Sequence, residues 1–192
     1  MNRIILIGNG FDKAHNLKTG YDDFIYWYWK EKHQELINGH DFECKDCLCT
    51  YRFKTPQLQE NWESFNHIER RPENDMSGIE VYKHVIADDS FFTATGSTFF
   101  NNINHSIHNK GWVDIENEYY SLLKKAVLNP NLCDFTVKEL NDQLAFLQQK
   151  LTEYLSSLEI TEDLFINEIK EEILKPINVQ DLFNKIAVVM TR

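Results

Sequence analysis

The stretch RIILIGNGFD, residues 3–12, decides the fold that the sequence predicts. Residues 3–7 are almost continuously apolar, as is typical of strands that are buried on both faces of a parallel sheet. Gly8 and Gly10 then allow a turn, because glycine tolerates positive φ and a close approach of the backbone. A short helical turn is predicted for residues 11–16. The stretch is therefore predicted to be a strand, a glycine loop and the start of a helix.

This loop is the first candidate for a ligand site. A helix that starts after a glycine turn presents backbone N–H groups to an anion such as a nucleotide phosphate. The dinucleotide fingerprint G-x-G-x-x-G is not matched, since Lys13 stands where the third glycine is needed. Nucleotide binding and a purely structural turn are both open. Asn9 and Asp12 favour binding, because they place polar groups at the end of a buried strand.

A second strand is predicted for IAVVM, residues 186–190, which is rich in β-branched side chains. It and residues 3–7 are candidates for a small parallel sheet, whose strands need a crossover connection. Two strands among so much helix make a thin sheet. The sequence therefore resembles the N-terminal part of a longer α/β protein.

The remainder is predicted to be mainly helical. Apolar spacing predicts a helix at residues 21–37 and another that ends near residue 128, before Asn129-Pro130. Thr136 and Glu139 form a capping box ahead of a long helix at residues 137–158. Its narrow apolar stripe is suited to another helix of the chain or to a homo-oligomer. The stripe consists of Val137, Leu140, Leu144, Leu147, Leu151, Tyr154 and Leu158.

Residues 39–110 show no clear periodicity and are predicted to be an irregular, insertion-like region with short elements. Three of the four cysteines, Cys44, Cys47 and Cys49, lie in this region. With His40 they have the residue types of a zinc site, but structural zinc sites normally use two separated pairs and no second C-x2-C follows. A plain thiol cluster is favoured, and no metal is expected.

Composition and charge exclude several classes of protein. The formal net charge of −10 repels a phosphate backbone, so broad binding to nucleic acid is not expected. No apolar run approaches the ~18 residues that span a bilayer. The N-terminus lacks the pattern of a secretory signal. The chain is therefore predicted to be cytoplasmic, and a small nucleotide remains an acceptable ligand.

Two segments closely resemble the AbiH family of bacteriophage abortive-infection proteins. They are IILIGNGFDKAHNLKTGYDDF, residues 4–24, and GWVDIENEYYSLL, residues 111–123. Members of that family begin with a hydrophobic strand and a GNGFD loop, and a W-x-D-I-E element follows about a hundred residues later. The resemblance implies a role in phage defence, in which an infected cell arrests or dies before virus is released.

The GNGF loop also looks like the opening loop of sirtuin-like, Rossmann-like domains, several of which bind or hydrolyse NAD. This likeness implies an α/β fold with a Rossmann-like start, a small parallel sheet and a predominantly helical remainder. It implies NAD or another nucleotide as the cofactor. The implied binding residues are Gly8, Asn9, Gly10, Phe11 and Asp12.

The second segment supplies the candidate catalytic residues Asp114 and Glu116, beside Trp112. A structural alternative is open for each, because Asp114 can cap the helix that it precedes and Glu116 lies in the first turn, where a negative charge is favourable. Two residues apart on a helix, they point in different directions, so they are not expected to act as an acid–base pair.

The F-N-Y-T-like and H-G motifs that usually follow in AbiH-like and sirtuin-like proteins do not occur in this chain. The resemblance is therefore expected to cover the N-terminal part of a longer family domain, with residues 1–192 as a single domain. Two other functions are open: a non-catalytic helical interaction or regulatory protein, and an inactive truncated remnant.

Overall fold

The computed structural model describes residues 12, 14–39, 41–66, 76–87, 91–111, 113–159, 166 and 171. The chain divides into two units, one of residues 18–158 and one of residues 1–17 and 159–192. The helices and strands given below belong to the first unit. The strands predicted at residues 3–7 and 186–190 lie outside the described residues, as does the helix start at Phe11.

The described residues contain a three-stranded sheet. Its strands are β1 (Glu43–Lys45), β2 (Cys49–Phe53) and β3 (Phe92–Gly96), and β2 is in the centre. Both pairs are antiparallel, with Cys44 opposite Tyr51 in one and Tyr51 opposite Ala94 in the other. A parallel pair needs a crossover of a dozen or more residues. The short connection between β1 and β2 therefore allows only a hairpin.

The predicted fold class, α/β with a Rossmann-like start and a small parallel sheet, is wrong. The sheet is antiparallel and lies within residues 43–96, in the stretch predicted to be irregular. The physical reason is visible in β2, where Cys49, Tyr51 and Phe53 are buried and the residues between them are not. This alternation is typical of a sheet with one buried face, whereas the continuous apolar runs at residues 3–7 and 186–190 had predicted a parallel sheet.

The predominantly helical character of the chain is confirmed, and so are the predicted helices that end near residues 37, 128 and 158. The α-helices in residues 18–158 are α1 (Tyr21–Asn38), α2 (Pro56–Asn66), α3 (Gly78–Ala87), α4 (Thr98–Lys110), α5 (Ile115–Leu128) and α6 (Val137–Ser157). A 3-10 turn at Pro130–Leu132 separates α5 from α6. The described part of residues 39–110 therefore holds three strands and three helices.

Local capping interactions set the ends of these helices. The capping box of α6 is confirmed: the Glu139 amide donates to the Thr136 hydroxyl at 3.2 Å, and the Thr136 amide donates to the Glu139 carboxylate at 2.7 Å. Helix α4 starts at the Ser97 hydroxyl, which accepts from the Phe100 amide at 3.2 Å. It ends at Gly111, whose φ of 72° is left-handed. Glycine adopts that conformation without the penalty that a Cβ brings.

The centre of the core is aromatic and includes one asparagine, Asn104, that joins three helices through its side chain and its backbone. Trp29 of α1 donates its indole N–H to the side-chain oxygen of Asn104 at 2.9 Å. The Asn104 side-chain amide donates to the Phe100 backbone carbonyl at 2.8 Å, and the Tyr82 hydroxyl donates to the backbone carbonyl of Asn104 at 2.7 Å. Asn104 is 4% exposed. Because its polar atoms are paired, its burial does not carry the penalty of an unsatisfied amide.

The apolar stripe of α6 contributes to the core of the chain itself. Leu140, Leu147 and Tyr154 are buried, and the ring of Tyr154 lies 5.9 Å from that of Phe24 and 5.5 Å from that of Trp27. The Tyr154 hydroxyl also donates to the Lys18 carbonyl. Packing against another helix of the chain is therefore confirmed, and a homo-oligomer through residues 137–158 stays a prediction.

A membrane-crossing helix needs a long apolar segment. None of the helices in the described residues combines the length and the apolar character that such a crossing requires.

Helix α3 approaches α1 so closely that a side chain at Gly78 has no room. A Cβ built on Gly78 overlaps the backbone carbonyl of Tyr26. Gly→Ala in a helix ordinarily stabilises by roughly 0.5–1 kcal/mol. We predict the opposite sign for Gly78→Ala, a loss of about 1–3 kcal/mol in the free energy of unfolding, because backbone atoms must move apart.

Urea denaturation followed by circular dichroism measures this change. Gly20→Ala is the matched control, because a Cβ there meets the ends of the Asp22 and Asp23 side chains and no backbone atom. A Gly78→Ala protein as stable as the wild type would contradict the close packing of α3 on α1.

Candidate functional site

Asp12 is the one predicted binding residue that lies within the described residues; Gly8, Asn9, Gly10 and Phe11 lie outside them. The Asp12 carbonyl accepts the amide N–H groups of His15 and Leu17, both at 3.0 Å. Asn16, between them, has a left-handed φ of 56°. This combination is typical of a helix C-terminus. There, a residue in the left-handed conformation is followed by an amide that bonds to the carbonyl five positions earlier. The backbone thus turns directly after the glycine loop.

Asp114 is the N-cap of α5. Its carboxylate accepts the Asn117 amide at 2.9 Å, and its carbonyl accepts the Glu118 amide at 3.0 Å. The side chain is exposed. The structural alternative that the sequence left open is therefore present, and a catalytic role for Asp114 stays a prediction.

Glu116 joins the two segments on which the family resemblance was based. Its carboxylate accepts the Tyr21 hydroxyl at 3.0 Å, so that the first turn of α5 is tied to the start of α1. Burial, the hydrogen bond to Glu116 and the charges of Glu116 and Asp114 raise the pKa of Tyr21 to about 12. At neutral pH the tyrosine is a hydrogen-bond donor that orients the Glu116 carboxylate. A catalytic role for Glu116 also stays a prediction.

A second polar cluster, which the sequence analysis did not single out, lies between α1 and the β1–β2 hairpin. The ammonium group of Lys32 lies 3.0 Å from the Asp46 carboxylate and 2.9 Å from that of Glu35. The side chains of Lys32 and Asp46 are only 7% and 11% exposed. Burial opposes the charge of Lys32, but the hydrogen bonds to Glu35 and Asp46 outweigh it and raise its pKa. Lys32 is therefore a fixed cation and not an amine nucleophile.

Asp46 is held by four donors. One carboxylate oxygen accepts the amides of Leu48 at 2.8 Å and Cys49 at 3.0 Å, which shapes the turn of the hairpin. The other accepts the Tyr28 hydroxyl at 2.9 Å and the Lys32 ammonium. Such a set of donors compensates a buried carboxylate for the water that it has lost.

The cysteine cluster lies beside this network. Cys44 and Cys49 are buried and Cys47 is exposed, and all three are free thiols. Burial raises the pKa of Cys44 to about 11 and that of Cys49 to about 12. Thiols with such pKa values are protonated at neutral pH and are not activated as nucleophiles. Within the described part of the chain, no group of three or more His, Cys, Asp or Glu side chains is placed to hold a metal ion.

One pattern in the sequence could have revealed Lys32. It lies four residues after Tyr28 and four before Leu36, on the buried face of α1. A charged residue at such a position must find a partner of opposite charge. Its partner Asp46 lies between Cys44 and Cys47, and nothing in the local sequence marks it as the partner of Lys32.

The fold and these contacts define a mainly helical protein with a small antiparallel sheet, in which Glu116 of the first turn of α5 is bonded to Tyr21 at the start of α1. A family model described as bacteriophage abortive infection AbiH matches residues 4–190. The chain belongs to the AbiH family, and its function is in phage abortive infection. No curated protein and no solved structure shows significant similarity to this chain.

The hydrogen bond from Tyr21 to Glu116, which links α1 to α5, can be tested by titrating the Tyr21 hydroxyl. We predict that Tyr21 ionises near pH 12 and that Glu116→Gln lowers this pKa toward the ordinary value of 10.0, because one negative charge is removed. The raised pKa stabilises the fold below about pH 10, and this contribution is lost as the pH rises toward 12. Near-ultraviolet titration, with Tyr21→Phe to identify the signal of this residue, measures the shift.

Glu118→Gln is the control, because Glu118 accepts from Ser106 at 3.0 Å and is not among the groups that raise the pKa of Tyr21. Equal Tyr21 pKa values in the wild type and in Glu116→Gln would show that the bond is absent in solution.

The Lys32–Asp46 pair is expected to be a main contributor to stability. We predict that Lys32→Met lowers the free energy of unfolding by about 3 kcal/mol, because it leaves Asp46 buried without its cation. The exposed Lys30→Met is the control and should change stability by less than about 0.5 kcal/mol. Chemical denaturation measures both.

Adding Asp46→Asn to Lys32→Met should recover part of the loss, since the uncompensated charge is then gone. The folded-state pKa of Lys32 lies above its ordinary value of 10.5, so the contribution of the pair is complete below that pH and is lost as the pH rises further. A Lys32→Met protein as stable as Lys30→Met would refute this role.

Proposed function

We propose that this chain acts in phage abortive infection as a cytoplasmic nucleotide-binding protein, with NAD as the first candidate ligand. The proposed binding residues are Gly8, Asn9, Gly10, Phe11 and Asp12. The proposal is carried by one observation, the GNGFD sequence of this loop in a chain that matches the AbiH family over residues 4–190.

The chemistry of the loop supports binding of an anion. Gly8 and Gly10 carry no Cβ, so their amides can approach a phosphate closely. Asn9 adds a donor and an acceptor between them, and Asp12 adds a carboxylate that is suited to a ribose hydroxyl. The two hydrogen bonds to the Asp12 carbonyl support a backbone that turns at this point.

NAD is preferred because the loop resembles the opening loop of sirtuin-like domains. This is a likeness of loop sequence and not of fold, since the described sheet is antiparallel. In NAD hydrolysis, water adds to C1′ of the ribose, the N-glycosidic bond breaks and nicotinamide leaves. The exposed carboxylates of Asp114 and Glu116 are the proposed catalytic residues.

Asn9→Ala tests the binding loop. We predict that the wild-type chain binds NAD in equilibrium dialysis and protects cells in a phage-plating assay. Asn9→Ala should weaken binding at least tenfold, equal to about 1.4 kcal/mol, and should abolish protection. Asn131→Ala is the matched control, because Asn131 lies exposed in the 3-10 turn after α5.

Release of nicotinamide by wild type and Glu116→Gln separates binding from turnover, since a catalytic Glu116 is needed only for the second. Protection that persists in Asn9→Ala, together with no NAD binding by the wild type, would refute the nucleotide-binding proposal.

A further inference from the structure

A cavity of about 290 Å³ lies between α1, the β1–β2 hairpin and α6. All of its lining residues belong to residues 18–158. Trp27 and Phe146, both partly buried, contribute aromatic rings to its wall. Ligand cavities range over ~300–1,000 Å³, which makes this one suitable for a small metabolite rather than a dinucleotide.

Two acidic groups of the wall are already paired with lysines of the same wall. Asp46 already accepts from two backbone amides, Tyr28 and Lys32. Glu153 accepts from Lys150 at 2.7 Å and from Gln149 at 2.9 Å. Because each of these carboxylates already has a cation, each attracts a ligand cation less than an unpaired carboxylate does.

Three other groups of the wall keep unused hydrogen-bonding or charge capacity. The Lys32 ammonium carries three donors and has two protein acceptors, and its side chain is 7% exposed. Glu31 and Lys45 are exposed residues of the same wall. In the described part of the chain, neither has an ion pair or side-chain hydrogen bond. The cavity thus offers one unpaired carboxylate, one unpaired ammonium and one buried N–H donor.

The charge balance of the wall identifies the class of ligand. Its lysines are Lys32, Lys45 and Lys150, and its acids are Glu31, Glu35, Asp46 and Glu153. A polyanion such as a nucleotide is not attracted to a wall that carries nearly equal numbers of positive and negative charges. A molecule that carries both charges satisfies the unpaired groups of both signs.

We propose that this cavity binds a small zwitterion with a planar ring, of the class of the aromatic α-amino acids. The ligand carboxylate accepts from Lys45 and from the third N–H of Lys32. Its ammonium group donates to Glu31, and its ring packs against Trp27 and Phe146. The site would make the chain responsive to a free amino acid, in addition to the nucleotide proposed above.

Isothermal titration calorimetry of the full chain tests the class of ligand. L-Tryptophan is the probe, and tryptamine, which lacks the carboxylate, and indole-3-propionate, which lacks the ammonium, are its matched analogues. We expect L-tryptophan to bind, and each analogue to bind at least tenfold more weakly. Glycine, which has no ring, should give no measurable binding.

Two variants test the residues. Lys45→Gln and Glu31→Gln should each weaken L-tryptophan binding at least tenfold, and Lys83→Gln, an exposed lysine of α3 outside the cavity, should leave it unchanged. Both changes are at exposed positions, so circular dichroism should show an intact fold. The proposal is overturned if L-tryptophan does not bind. It is also overturned if either analogue binds as tightly, or if both variants match Lys83→Gln.

Discussion

The ion pair between Lys32 and Asp46 is the contact on which the arrangement of the larger unit depends. A buried cation on a helix and a buried carboxylate in a turn are each unfavourable alone, so the helix and the hairpin must meet where the two charges meet. Asp46 also holds the amides of Leu48 and Cys49, and the same carboxylate therefore shapes the turn and anchors it to α1. The same pair forms part of the polar wall of the adjoining cavity.

The helices were predictable from the sequence because the residues that specify each helix lie within it or next to its ends. Residues 136–139 carry a complete capping box, and an apolar residue recurs every three or four positions after it. Strand pairing depends on residues that are far apart, and in β2 only three side chains face the core. Helix α4 was also missed, because its many asparagines favour loops. Its burial of Phe99, Phe100, Ile103 and Ile107 outweighs that preference.

The candidate site was predictable only in part, for the same reason. Capping by Asp114 involves residues that are three positions apart, so the sequence could predict it. The bond between Tyr21 and Glu116 joins residues that are 95 positions apart, and nothing local to either residue specifies the other. The pair of Lys32 and Asp46 has the same character, although the position of Lys32 on an apolar helix face indicated that a partner must exist. The partners of the charged residues were thus the contacts that the sequence could predict least.

The unequal connections of the three strands have a consequence for the order of folding. The turn between β1 and β2 is local, so this hairpin can close within microseconds of collapse. Residues 54–91 separate β2 from β3 in the sequence. Pairing of these two strands must close that long loop, and the entropy cost of closing it slows this step. We therefore expect the hairpin and α1 to associate early, through oppositely charged groups already close in sequence, and β3 with α4 to complete the core last.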